Sequence, residues 1–121
     1  MIAPAPPATV FFCHGSRSLD WRAPFDLLAA DYQRRFPDHR VRLAFLELMV
    51  PTLPEVLADL ADGGDGPVRI VPLFLAPGAH TQQDLPALLA HAGQHWPGLT
   101  IQVHPTLLES DALRSAIVAA L

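Results

Sequence analysis

The stretch TVFFCHGSR, residues 9–17, joins a continuous apolar run to a histidine and a glycine. An uncharged run such as residues 9–13 is typical of a strand that is covered on both faces of a parallel sheet. The glycine that follows lets the backbone turn sharply and pass close to a ligand. The stretch therefore predicts a central strand that delivers His14 to the edge of a sheet.

Three further segments have the character of strands. Residues 68–75 form a second near-continuous apolar run and predict a second central strand. Residues 41–46 and 99–103 alternate apolar with more polar or small side chains, which is typical of edge strands. Pro72 lies inside the second central run, where its missing N–H should remove a ladder hydrogen bond, so we expect a bulge there.

Apolar residues at helical spacing follow each predicted strand. Thr52 and Glu55 form a capping box at the second helix, and Ser110 is placed to cap the fourth. Gly63 and Gly64 end the second helix, and residues 97–98 end the third. The helical stripes consist of Phe25, Leu28, Tyr32 and Phe36, then Leu53, Val56, Leu57 and Leu60, then Leu85, Leu88, Leu89, Ala92 and Trp96, and finally Leu113, Ala116, Ile117 and Leu121.

Strict alternation of strands and helices implies right-handed crossovers and a parallel sheet. Placing the two continuous runs at the centre gives the strand order 2-1-3-4. The sequence thus predicts an α/β fold, a flavodoxin-like three-layer domain with a four-stranded parallel sheet. The 121 residues suit one domain, which we expect to span residues 1–121.

Composition narrows the possible partners and compartment. Half of the residues are apolar and 17% are charged, yet the apolar stretches are too short and interrupted for a membrane span. The net charge of −4 argues against nucleic acid and anionic membrane as partners. The N-terminus lacks the features of a signal peptide, and the single cysteine, Cys13, cannot form an internal disulfide. We therefore expect a cytoplasmic protein.

Ligands of open parallel sheets bind outside the carboxyl ends of the strands, where the winding reverses. In the predicted order this point lies between the first and third strands. The loops that follow them, residues 13–17 and 76–80, supply His14 and His80 to the same crevice. Imidazole binds Fe, Co, Ni, Cu and Zn and accepts a proton near neutral pH. One such histidine is usually an ordinary surface residue, whereas two that converge indicate a site.

Other residues at this edge are secondary candidates. Glu47 ends the second strand, one strand away from the crevice, and is either a third ligand, a proton acceptor or a solvated carboxylate. Arg17 and Arg22 can hold carboxylates of an anionic substrate through their planar guanidinium groups, or can be ordinary surface residues.

Several residues are weaker candidates. The fourth strand ends at His104, which we expect to be too far out to share a metal with His14. His91 and His95 have the spacing of a helical metal-binding pair but lie away from the carboxyl edge, so we predict that both are solvated. We expect Cys13 in the core, with a soft ligand as the alternative, and we expect the two tryptophans, Trp21 and Trp96, to be packing residues.

Competing signatures are absent from the sequence. Gly15 alone provides neither a dinucleotide-binding glycine pattern nor a phosphate loop, so we expect no bound nucleotide. A receiver domain would require an acidic cluster at the carboxyl edge. A phosphatase of the histidine type would require arginine immediately before the histidine, and position 13 is cysteine.

Taken together, these residues resemble the class II tetrapyrrole chelatases, in particular the short, single-domain CbiX form of sirohydrochlorin chelatase. The matching segments are HGSR at residues 14–17, FLEL at residues 45–48, VPLFL at residues 71–75, Gly78-x-His80, and DLP at residues 84–86. They extend over nearly the whole chain. The residues after His80, Thr81-Gln82-Gln83, differ from the charged residues expected in the family.

The resemblance implies that this domain is half of a class II chelatase and that two copies form a homodimer. It implies insertion of a divalent metal, Co²⁺ first and alternatively Ni²⁺ or Fe²⁺, into sirohydrochlorin or a related tetrapyrrole without nucleotide hydrolysis. His14 and His80 match the metal-binding and catalytic histidines. Ser16, Arg17 and Glu47 fall in the matching segments as substrate-binding candidates. A carrier that binds metal or tetrapyrrole without turnover is the alternative function.

Overall fold

The computed structural model describes residues 6–64 and 66–121, apart from the side chains of residues 80 and 81. In this part of the chain, four strands form one all-parallel sheet in the order β2-β1-β3-β4, as predicted. The strands are β1 (Ala8–Cys13), β2 (Arg40–Phe45), β3 (Gly66–Pro72) and β4 (Leu99–Val103). The helices are α1 (Ala23–Arg35), α2 (Leu53–Asp62), α3 (Leu85–His95) and α4 (Asp111–Ala120).

The main core lies between one face of the sheet and helices α2 and α3. Val10 of β1 and Ile70 of β3 are fully buried there. Val56 and Leu57 of α2 and Leu85 of α3 pack in the same core cluster. Burial of these apolar side chains is the principal favourable term in folding, at about 25 cal/mol per Å² of apolar surface.

Helix α1 covers the other face of β1. The Tyr32 ring meets the Phe11 ring edge-on at 5.5 Å between centroids, and the Thr9 hydroxyl donates to the Tyr32 oxygen at 3.0 Å. The same face of β3 is open, because Arg69 is exposed. The prediction that β3 is central is confirmed, whereas the expectation that it is covered on both faces is wrong.

Pro72 needs no bulge. It pairs with Phe12 as the last residue of β3, and the register between β1 and β3 is continuous. The pairing of β3 with β4 already ends at Ile70 and Val103, so the missing N–H of Pro72 leaves no gap in that ladder. The chain then resumes contact with β1, because the Leu73 N–H donates to the Phe12 carbonyl at 2.9 Å.

The predicted helix boundaries agree with the structure. Thr52 caps α2 in a capping box with Glu55, and Gly63 is the residue that ends this helix. The Ser110 hydroxyl accepts the Leu113 N–H at 3.3 Å and caps α4. These bonds satisfy backbone N–H groups that a helix start otherwise leaves without partners.

Helix α4, like α1, contributes no fully buried residue, unlike α2 and α3. None of its residues is buried, although it is amphipathic. Its Arg114 guanidinium donates to the Leu108 carbonyl at 2.7 Å, which holds the helix to the turn Leu107–Glu109. The predicted apolar stripe of this helix, including Leu113 and Ile117, therefore remains exposed.

Candidate functional site

The loop after β1 is built against the loop after β2. The Leu46 N–H donates to the Cys13 carbonyl at 2.8 Å, and the Glu47 N–H donates to the His14 carbonyl at 3.1 Å. Gly15 has a φ of +92°, a conformation that favours glycine, and the Glu47 carbonyl lies directly against it. His14 is therefore positioned by backbone pairing on both sides of the β1 terminus.

The imidazole of His14 rests on an aromatic side chain. Its ring centre lies 4.3 Å from that of Phe74, and the Phe74 ring packs in turn on Phe12 at 5.5 Å. Phe74 is only 6% exposed, whereas His14 is exposed to solvent. The imidazole of His14 thus faces solvent on one side and packs on a buried phenylalanine on the other.

His80 opens a π-helical turn, His80–Asp84, that leads directly into α3. The turn follows the loop that leaves β3, and β3 lies beside β1 in the sheet. The two histidines thus lie on segments that follow two neighbouring strands, β1 and β3. The His80 side chain lies outside the described residues, so its convergence with His14 stays a prediction.

The backbone of Glu47 lies next to His14 at the ends of two paired strands. Its backbone contacts both His14 and Gly15, because β2 is hydrogen-bonded to β1 and the pairing continues past the strand ends. Glu47 thus follows β2, one strand away from the crevice between β1 and β3 as the strand order predicts, and its backbone contacts the loop after β1. Its carboxylate is on an exposed residue, where it can meet a ligand or solvent.

The polar residues of the first loop have different surroundings. The Ser16 hydroxyl accepts the Ser18 N–H at 3.1 Å, which shapes the loop. Arg17 is exposed at the same edge. Arg22 is bound to Asp26 by two hydrogen bonds of 3.1 Å, and its guanidinium stacks over the Phe45 ring at 5.1 Å. These contacts make Arg22 a structural residue of the α1 start.

Cys13 is a core residue, as predicted. It is fully buried, and its thiol donates to the Phe11 carbonyl at 3.6 Å. Burial raises the pKa of this thiol to about 12, although the nearby Arg22 opposes the shift. The thiolate needed to bind a soft metal is therefore disfavoured.

A concavity separate from the His14 site lies between the carboxyl ends of β3 and β4. It has a volume of about 180 Å³, and Pro72, Gln82 and His104 are among its lining residues. Desolvation, with a further contribution from Arg69, lowers the pKa of His104. Within the described residues, no group of three or more His, Cys, Asp or Glu side chains is arranged to hold a metal.

The sequence patterns indicated candidate ligands, but they did not mark Phe74 as a residue of the site. The signal was the apolar VPLFL segment, which continues beyond the end of β3 and so carries a large ring to the carboxyl edge.

Exposed apolar side chains also surround this edge. They are Leu19 at 80%, Leu48 at 56%, Val50 at 69% and Leu75 at 62% exposure.

The two tryptophans pack within the fold, as predicted. The Trp21 ring lies 4.4 Å from that of Phe25, and Trp96 packs against the edge of the main core. None of the helices within the described residues combines the length and apolar character that crossing a bilayer would need.

The described part of the chain is an open parallel α/β protein whose candidate site lies at the carboxyl edge of the sheet. The family model for CbiX matches residues 8–121, and the chain belongs to the CbiX family. The resemblance stated from the sequence motifs is thereby confirmed.

Solved structures share this fold. A putative cobalamin (vitamin B12) biosynthesis CbiX protein from Marinobacter aquaeolei superposes with a TM-score of 0.81 at 27% identity, covering 95% of this chain and 93% of that one. The sirohydrochlorin chelatase SirB from Bacillus subtilis subspecies spizizenii, in complex with cobalt, has a TM-score of 0.72 at 25% identity. That match covers 83% of this chain and 43% of SirB.

Among curated relatives, the sirohydrochlorin cobaltochelatase of Methanococcoides burtonii is 36% identical over 76 residues. The match covers 63% of this chain and 58% of that protein. A second sirohydrochlorin cobaltochelatase, from Methanopyrus kandleri, is 34% identical over 82 residues, with 57% of its length covered. The matched segment spans somewhat more than half of the length of these relatives.

Proposed function

We propose that this protein is a chelatase that inserts a divalent metal into a sirohydrochlorin-type tetrapyrrole without nucleotide hydrolysis, with Co²⁺ as the first candidate and Ni²⁺ or Fe²⁺ as alternatives. The observation that carries the proposal is His14, an exposed imidazole on Phe74 at the carboxyl edge of a CbiX fold. The names of the cobaltochelatase relatives and the cobalt complex of SirB support the reaction and the metal.

Metal insertion replaces two pyrrole N–H protons of the macrocycle with one divalent ion. The reaction therefore releases two protons and requires the ion to lose water. A neutral imidazole can bind the ion and can also accept a proton, and His14 and His80 are the residues that we assign to both tasks. Glu47, whose backbone N–H donates to the His14 carbonyl, carries a carboxylate that we assign as a further acceptor.

The surroundings of His14 suit a flat ligand that carries carboxylates. Leu19, Leu48 and Leu75 provide apolar surface for the macrocycle face. Arg17 is the exposed cation that we assign to a peripheral carboxylate, and Ser16 shapes the loop beneath it. The net charge of −4 favours approach of the metal ion and leaves recognition of the acidic tetrapyrrole to local contacts of this kind.

Anaerobic absorption spectroscopy tests the proposal directly. Sirohydrochlorin with Co²⁺, Ni²⁺ or Fe²⁺ is followed for wild type, His14→Ala and His80→Ala against the uncatalysed rate, with and without ATP. We expect turnover that is independent of ATP and at least about tenfold slower in each variant. His104→Gln is the matched control, because His104 directly follows β4 at the same edge, and it should retain most of the activity.

Three outcomes would contradict the proposal. Near-normal turnover in the His14→Ala and His80→Ala proteins would remove both histidines from the reaction. Tight tetrapyrrole binding with no acceleration by wild type would instead make the protein a carrier. Loss of turnover only in His104→Gln would move the reacting centre to the concavity between β3 and β4.

We further infer that the protein functions as a homodimer in which α4 contributes to the contact. Leu113 and Ile117 are 42% and 45% exposed, and no residue of α4 is buried. An amphipathic helix usually buries its apolar face, so a partner surface is expected here. The site at the carboxyl edge is also open on the side away from the sheet, where a second copy could close a cleft over a macrocycle.

Sedimentation equilibrium tests this assembly. Ile117→Glu should shift the protein toward monomer and lower chelatase activity, whereas Ser115→Glu, on a different face of the same helix, should leave both unchanged. A monomeric wild-type protein with full turnover would rule out the dimer while leaving the chelatase proposal intact.

We also place the protein in the cytoplasm, where a fully buried, reduced Cys13 is stable, and we treat residues 1–121 as one chelatase domain. Recovery of the protein in the soluble cytoplasmic fraction of its source cells, without membrane or nucleic acid, is the expected result.

A further inference from the structure

Two histidines lie together on the outer surface of α3, away from the carboxyl edge. His91 and His95 are one helical turn apart, both are exposed, and their ring centres are 4.2 Å from one another. The sequence pattern predicted that both are solvated, and the exposure agrees. The closeness of the rings is a feature that only the coordinates reveal.

The separation of the rings suits simultaneous binding of one ion. Two imidazoles that each bind a metal at about 2.0–2.1 Å in adjacent positions have ring centres roughly 4–5 Å apart. Residues four apart on a helix lie on the same face, so the backbone keeps the two rings within reach of one ion. Exposure leaves the remaining coordination positions to water.

The local charge does not oppose a cation. Helix α3 contains no Arg or Lys and no acidic residue, and its sequence is LPALLAHAGQH. The helix C-terminus, where His95 lies, carries partial negative charge from unpaired carbonyls. The net charge of the whole chain is also negative.

The pair is separate from the proposed reacting centre. Helix α3 begins at Leu85, directly after the turn that contains His80, and His91 and His95 lie about 9 and 15 Å further along the helix axis. One ion held by His91 and His95 therefore cannot also be held at the start of α3.

We propose that His91 and His95 form a second divalent-metal site, selective for ions that favour imidazole, such as Ni²⁺, Cu²⁺, Co²⁺ and Zn²⁺. It binds the ion through two ring nitrogens and solvent. No hard cation such as Mg²⁺ is expected there, because such ions prefer oxygen ligands. The site does not depend on the proposed chelatase activity.

Binding is measured with Ni²⁺ alone by calorimetry, in the full chain carrying His14→Ala and His80→Ala so that the edge histidines do not contribute. We expect about one ion per chain. Either His91→Gln or His95→Gln should weaken the affinity at least tenfold, because one imidazole cannot chelate. Gln94→Ala, an exposed change on the same helix, should leave the affinity unchanged.

A second control keeps the number of histidines constant. The double substitution His91→Gln, Gln94→His places the two imidazoles on adjacent residues, which point to different faces of the helix. It should bind Ni²⁺ as weakly as His91→Gln alone. Equal affinity in this protein and in the parent would mean that the histidines act singly, and would overturn the proposal.

Trp96 provides an independent signal, because its ring lies 5.8 Å from that of His95. In a Trp21→Phe background Trp96 is the sole tryptophan, and Ni²⁺ or Cu²⁺ at the site should quench its fluorescence. The quenching should disappear in His95→Gln. Quenching that persists in both His91→Gln and His95→Gln, or Ni²⁺ binding that neither substitution weakens, would show that the ion binds elsewhere.

Discussion

The carbonyl oxygen of Glu47 lies 1.8 Å from the position that a Cβ atom of residue 15 would occupy. Gly15 also has a φ of +92°, so an L side chain there is strained as well as obstructed. This contact connects the loop that carries His14 to the loop after β2. The atoms on both sides of this contact belong to the backbone. No flexible side chain is therefore present that could move to make room for a Cβ atom.

Gly15→Ala is therefore expected to displace the His14 loop. The left-handed conformation alone costs about 1–2 kcal/mol for a residue with a Cβ, and the contact with Glu47 adds to it. We expect a lower free energy of unfolding by denaturant and a large loss of turnover. Gly93→Ala is the control, since a Cβ there meets no described atom within 4 Å and Gly93 lies in α3, outside the loops of the site. Equal effects of the two substitutions would contradict this assignment.

Phe74→Leu should lower activity more than its loss of stability explains. The change removes the ring on which His14 rests and trims a buried side chain, which destabilises by about 1–2 kcal/mol. Phe12→Leu is the matched control, because Phe12 is equally buried and packs on Phe74 within the core. Measured by urea unfolding and by chelatase rate, the two variants should lose similar stability. Only Phe74→Leu should show a marked fall in kcat.

Cys13 should make the protein less stable at alkaline pH. The ordinary pKa of a cysteine thiol is 9.0, and the pKa of the Cys13 thiol is raised to about 12 in the folded protein. The unfolded chain therefore loses the thiol proton first, and the stabilisation that is present below pH 9 is lost as the pH rises from 9 toward 12. Comparing urea midpoints at pH 8 and pH 10.5, we expect a larger decrease for wild type than for Cys13→Ala. Parallel decreases would contradict the buried-thiol account.

Two helix caps should differ in their effect on global stability. Thr52→Ala removes a capping box from α2, a helix with four buried residues, and should lower the free energy of unfolding by about 1 kcal/mol. Ser110→Ala removes the cap of α4, which buries none, so fraying there is only weakly coupled to the core. Thermal unfolding should show a clear decrease in Tm for the first variant and a small one for the second.

Much of the architecture was predictable because the relevant signals are local. The uncharged run at residues 9–13 forms the central β1, and the capping residues Thr52 and Ser110 begin α2 and α4 as predicted. Strict alternation with right-handed crossovers then leaves few possible topologies, and the predicted strand order is the one observed. His14 could be placed at the carboxyl edge by the same reasoning.

Contacts between loops required the folded chain. Periodicity indicates which residues form a strand, but the register between strands determines which atoms meet beyond the strand ends. The pairing of Glu47 with His14 arises in this way, and so does the packing of Phe74 under the imidazole. Neither pair is close in sequence, so no local pattern marks it.

Side-chain burial on the outer layers also depended on tertiary packing. The apolar stripe of α4 predicted a helix correctly, but the stripe lies exposed because the helix is held to the turn Leu107–Glu109. Arg69 of β3 is exposed as well, although it lies within a near-continuous apolar run. Helix caps, which involve near neighbours in the chain, could be read from residue order. The surroundings of His14 and the exposed face of α4 arise from packing between distant segments, which only the tertiary structure determines.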